Sequence, residues 1–126
     1  PWMFFNTSRE NIGGYWINNM VRVPAGYSTQ LLTRDEAYGK WNDILINVKW
    51  TDKEEGFMKI WVNEKIKLDY IGPTKRKGAV YFKFGIYQTY VSRYSPYESK
   101  PYPTQIVFFD EIRHGISREA VVKNLY

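Results

Sequence analysis

Residues 43–70 read DILINVKWTDKEEGFMKIWVNEKIKLDY, and their alternation decides the fold class. In Asp43–Trp50, Ile44, Ile46, Val48 and Trp50 share one side, while Asn47 and Lys49 lie on the other. In Phe57–Val62, Met58, Ile60 and Val62 oppose Lys59 and Trp61. A period of two marks a strand with one face toward a core and one toward water. Asp52–Gly56 (DKEEG) reads as a polar connection, and Asn63-Glu64 as a tight turn, so 57–70 is expected to form a hairpin.

The same punctuation runs outward from this stretch. Gly13-Gly14, Pro24-Ala25-Gly26, Gly39, Gly72-Pro73, Gly78, Pro96, Pro101 and Pro103 separate short runs rich in Val, Ile, Phe, Tyr and Trp. Further strands are expected at about 15–22, 79–88 and 105–113. Residues 28–37 read as a loop or a short helix, and Ser117–Leu125 as a helix with Ser117 as its N-cap. The fold class is therefore all-β: an antiparallel sandwich, with 1–126 as a single domain.

Composition narrows the chemistry. The chain has 126 residues, 18 Lys+Arg against 13 Asp+Glu, one His and no Cys. Without Cys there is no disulfide scaffold and no thiolate zinc site, and one His excludes a His-rich metal site. The net charge of +5 favours a polyanionic partner, nucleic acid or acidic polysaccharide. Aromatics at 18% are too many for a disordered basic tail. No apolar run approaches the ~20 residues of a membrane-spanning helix. The sequence contains no P-loop, dinucleotide fingerprint, nucleophile elbow or HExxH motif.

Chemistry-bearing residues concentrate in Ala79–Gln88, AVYFKFGIYQ. Val80, Phe82, Phe84 and Ile86 form its apolar side. Tyr81, Lys83 and Tyr87 fall on the other side, where Gly85 removes a side chain. Residues i and i+2 of a strand lie about 6.5–7 Å apart, so Tyr81 and Lys83 are within reach of one ligand. Gly85 marks either close approach of a ligand or a bulge. Tyr and Lys are equally ordinary on a solvated sheet face.

Other features carry less. Trp41, Trp50 and Trp61 read as packing anchors, with the alternative that Trp61, beside Lys59, stacks on sugar rings. Residues 87–102 hold Tyr90, Arg93, Tyr94, Tyr97, Lys100 and Tyr102 in a long Pro-containing stretch. That composition suits ligand contacts or a solvated loop. Lys75-Arg76-Lys77 reads as a solvated basic turn. The acidic pairs Asp35-Glu36 and Glu54-Glu55 have no evident convergence. His114 falls at a sheet end. Asp110 shares a side with Phe108 and Ile112, as a buried carboxylate or a cation ligand.

Taken in order, GKWNDILINVKW, GFMKIWVNEKIKLDYIGPT, YFKFGIYQ and VFFDEIR resemble the C-terminal half of β-jelly-roll polysaccharide lyases. The resemblance is to the heparin lyase I and glucuronan lyase group, similar in fold to alginate lyases with a concanavalin-like sandwich. It covers about 39–113, and YFKFGIY is its specific part. It implies that Tyr87 is the catalytic tyrosine, that Lys83 is the cation meeting the acidic sugar, and that Tyr81 lines the groove. Gln88, Arg93 and Tyr90 are expected substrate contacts. It further implies β-elimination on a uronic-acid polysaccharide, with no metal or other cofactor, in a secreted or periplasmic protein; neither nucleic acid nor a membrane is expected as a partner.

The family also uses Gln, His and Arg residues from strands of its N-terminal half, and these have no counterpart here. Pro1–Phe5 looks like the strand that follows them. The expectation is an incomplete jelly roll whose partner is the missing N-terminal half of the same domain. Two other readings compete with the lyase. One is a non-catalytic carbohydrate-binding module of the same fold. The other is a basic domain that stacks single-stranded nucleic acid, for which no RNP-like motif or basic stripe is present.

Overall fold

The computed structural model describes residues 3–7, 11–16, 28–75, 78–86 and 104–122. In chain order its elements are β1 (Met3–Thr7), β2 (Asn11–Trp16), β3 (Ser28–Thr33), α1 (Arg34–Ala37), β4 (Ile44–Lys49), β5 (Phe57–Val62), β6 (Lys65–Ile71) and α2 (Arg118–Val121). The strands form two antiparallel three-stranded sheets, ordered β1-β2-β3 and β4-β5-β6. The described fold is all-β with two single-turn helices, as the alternation requires.

β5 is the central strand of the second sheet. Ile46 pairs with Ile60 and Val48 with Met58 on the β4 side. Leu68 pairs with Ile60 and Tyr70 with Met58 on the β6 side. These side chains lie on one face, against which Leu31 and Leu32 of β3 pack. Met58, Ile60, Val62, Leu31 and Leu32 are buried, and Ala37, Ile46, Val48, Trp50, Leu68 and Tyr70 surround them. Each fully buried aliphatic contributes about 1.5–3 kcal/mol relative to exposure. Leu32 pairs with Ile12 and Gln30 with Gly13, so Leu31 is the extra residue of an irregularity in β3, and both leucines are buried.

The β5–β6 turn is Asn63-Glu64, both with positive φ (48° and 66°), the left-handed pair that matches strand twist in a two-residue hairpin. Asn63 ties the turn back. Its side-chain oxygen accepts from Asp43 N (2.9 Å), and its amide donates to the Asn42 side-chain oxygen (2.8 Å). At the other end, Thr74 is buried and joins β4 to the chain leaving β6. Its hydroxyl donates to Lys49 O (2.6 Å) and accepts from Thr51 N (3.0 Å). Gly56 is needed beside it, because a Cβ there would stand 2.3 Å from Gly72 O.

The structure refines several boundaries. The strand expected at 15–22 is β2, starting at Asn11, and residues 17–22 lie outside the described residues. Residues 28–37 are a strand followed by one helical turn. Thr33 and Glu36 close a capping box there, with Thr33 N donating to Glu36 Oε2 (2.8 Å) and Glu36 N to Thr33 Oγ1 (3.2 Å). α2 starts where expected, with Ser117 accepting from Ala120 N, and ends at Val121.

Among the described residues, two expected strands do not form. Residues 79–86 and 104–115 are irregular. The expected apolar side is not buried: Phe82, Phe84 and Ile86 are 68%, 62% and 46% exposed, against 73% for Tyr81. A strand exists through its neighbours, which satisfy its N–H and C=O groups and cover its apolar face. Among the described residues no ladder reaches either segment. The chain divides into two compact units, Pro1–Tyr81 and Phe82–Tyr126. All six strands belong to the first. In the second, the apolar side chains pack locally: Phe82 and Phe84 stack at 6.3 Å, and Phe84 meets Phe109 edge-on at 5.6 Å.

Candidate functional site

Tyr81 closes the first unit and Lys83 stands near the start of the second. Both side chains are exposed to solvent. Gly85 has φ +129°, and a Cβ built there would meet nothing within 4 Å. The glycine is therefore required by backbone conformation, since L side chains avoid that region, and not by a crowded neighbour. No ladder includes Gly85 among the described residues, so it does not mark a bulge there. Tyr87, Gln88, Tyr90 and Arg93 lie outside the described residues, as do Tyr94, Tyr97, Lys100 and Tyr102.

Asp110 is exposed, which corrects the expectation of a buried carboxylate. Its Oδ1 accepts from Glu111 N at 2.8 Å, an arrangement that accompanies the positive φ of Glu111 (51°). Its neighbour Glu111 pairs with Arg113, whose guanidinium also reaches Val121 O (3.5 Å) and so ties the segment to α2. His114 is exposed. Among the described residues no three His, Cys, Asp or Glu side chains converge on a metal position. Nor is any described helix long and apolar enough to cross a membrane.

One member of each acidic pair has a local role. Glu36 belongs to the capping box, and the Thr33 backbone N–H, then its hydroxyl, hold the carboxyl below its ordinary value. Glu55 faces Lys49 at 3.6 Å, and its carboxyl is lowered by a backbone N–H first and by Lys49 second. In the basic turn, Lys75 Nζ donates to Gly78 O (3.2 Å), so this lysine secures a loop.

The three tryptophans separate. Trp50 packs against the core, Trp41 is 69% exposed, and Trp61 lies on the outward face of β5. The registers set out that face in three rows: Leu45–Trp61–Ile66, Asn47–Lys59–Asp69 and Lys49–Phe57–Ile71. Lys59 Nζ sits 3.4 Å from Asp69 Oδ2. Sequence reading put Trp61 beside Lys59 but missed Asp69. The irregularity between Ile60 and Trp61 shifts the β6 register, and a shift of one residue changes which side chains share a face.

The polysaccharide lyase family matches residues 24–113, more than half of the chain. The chain belongs to that family. The match contains β3 to β6, Tyr81, Lys83 and the YFKFGIYQ stretch as a whole. No curated protein and no solved structure matches the chain.

Proposed function

We propose that this polysaccharide lyase domain acts on a uronic-acid polysaccharide by β-elimination, within the heparin lyase I and glucuronan lyase group. The observation that carries the reading is that the family match spans Tyr81, Lys83, Tyr87, Gln88, Tyr90 and Arg93 in one continuous stretch. The jelly roll, the acidic polysaccharide partner and a secreted or periplasmic setting belong to the same proposal.

The chemistry suits these residue types. In β-elimination a base takes the C5 proton, the electron pair left on C5 forms the C4–C5 double bond as the C4–O bond breaks, and the departing oxygen takes a proton. The C5 proton is weakly acidic until the neighbouring carboxylate is neutralised, so a cation placed there stabilises charge as it develops. Lys83 has that role. Tyrosine, with a reference pKa near 10, serves as base when a nearby cation favours the phenolate, and as acid toward the leaving oxygen. Tyr87 has that role. Tyr81, Gln88, Tyr90 and Arg93 position the polymer. The further Gln, His and Arg groups of this chemistry come from strands of the jelly roll with no counterpart in these 126 residues.

The test is an eliminase assay of the full protein on a panel of uronate polymers, following the absorbance of the unsaturated product. Turnover of one of them is the expected result. Tight polymer binding without unsaturated product would replace the reading with a non-catalytic carbohydrate-binding module.

A further inference from the structure

We propose that the outward face of β4–β6 is a second glycan-binding platform, which takes a polysaccharide chain through ring stacking and hydroxyl contacts. The proposal rests on membership of a polysaccharide lyase family and is independent of the roles given to Tyr81, Lys83 and Tyr87.

The registers place Phe57, Lys59 and Trp61 in line along β5, so the backbone positions of the two aromatic residues stand about 13 Å apart at ~3.3 Å per residue. Both rings are partly exposed. Trp61 is bracketed across the sheet by Leu45 and Ile66, and Phe57 by Lys49 and Ile71. Between the rings runs the polar row of Asn47, Lys59 and Asp69. It offers amide and ammonium donors together with amide and carboxylate acceptors. A sugar ring has an apolar C–H face and a rim of hydroxyls. Aromatic patches separated by a mixed donor and acceptor row complement both parts of that surface.

Charge selects among occupants. Lys59 is matched by Asp69 at 3.4 Å and Lys49 by Glu55 at 3.6 Å. A face balanced in this way exerts little pull on a nucleic acid or an anionic membrane, whose binding is led by net positive field. It fits a neutral or weakly charged stretch of glycan. It contrasts with the Lys83 segment, where the proposed contact is a cation on a carboxylate.

The test is affinity gel electrophoresis of the full chain against hydroxyethylcellulose and against polyglucuronate, at low and high salt. Retardation by the neutral polymer, unchanged by salt, is the expected result. Trp61→Ala should weaken it about tenfold. The Asn47→Ala/Lys59→Ala pair changes only the polar row, so it separates binding from folding and should weaken retardation several-fold. Lys83→Ala should leave the neutral-polymer arm unchanged. No retardation by hydroxyethylcellulose would overturn the proposal, as would full retardation in both variants. Conversion of a wild-type oligomer to a monomer by Trp61→Ala would assign the face to a second copy of the chain instead. Failure of the eliminase assay leaves the neutral-polymer arm intact, so the two readings fail separately.

Discussion

β5 and residues 82–86 alternate in the same way, yet they end in opposite states. β5 lies between two hydrogen-bonded neighbours, with Met58, Ile60 and Val62 essentially out of solvent. Phe82 and Phe84 belong to a segment with no ladder among the described residues, and they stand largely in solvent. Aromatic residues have high strand preference, but that preference reflects packing on a pleated, half-covered surface more than an intrinsic bias of the backbone. A pattern of period two therefore states which side chains would share a face. Whether that face forms depends on neighbours that the pattern does not contain.

The contrast breaks first under core truncation. Ile60→Ala should cost about 2–5 kcal/mol, because it empties a site enclosed by both sheets. Phe82→Ala should stay within about 0.5 kcal/mol, the range of ordinary surface changes. Urea unfolding of both variants checks the pair. Equal losses would show that 82–86 is packed as tightly as β5 in solution.

The junction of β4 and β6 comes next. Thr74→Val keeps the volume but leaves Thr51 N and Lys49 O without their hydroxyl partner. About 1–3 kcal/mol should be lost, read as a lower urea midpoint at unchanged slope. Glu64→Gly acts in the opposite direction. It relieves a left-handed non-glycine residue in the β5–β6 turn, and the gain should be about 0.5–1 kcal/mol in the same measurement.

The smallest effect is electrostatic. The folded Glu36 carboxyl lies below its ordinary value of 4.5. Its contribution is thus fully present above that value and is lost as pH falls through the depressed one. Thermal melts over acidic pH should show this loss in the wild type, and Glu36→Gln should remove that component of the slope. An unchanged slope would separate the capping box from acid stability.

How much was legible in the sequence follows from where each element finds its partners. The β5–β6 hairpin was readable because its turn, its alternation and its cross-strand partner lie within residues 57–71. The 28–37 segment was not. Leu31 and Leu32 are both buried, which hides the alternation of β3, and the capping box of Thr33 and Glu36 sits directly on the strand end. Segments 79–86 and 105–113 alternate but join no ladder among the described residues, because alternation alone does not supply a neighbour. For the candidate site, Tyr81 and Lys83 were legible as exposed residues, and Asp69 was not, because its place beside Lys59 depends on a register shift. The family was legible from the order of four motifs, which no single strand pattern specifies.

The measurement closest to the central claim is steady-state kinetics of Tyr87→Phe in the full protein on uronate polymers, paired with polymer binding. The phenyl ring keeps the packing and removes the ionisable hydroxyl, so a contribution made only in the transition state is lost. Turnover should fall about 10²–10⁴-fold while binding stays near wild type. Wild-type turnover in Tyr87→Phe would contradict the account, removing Tyr87 from the chemistry and with it the role proposed for Lys83 beside it.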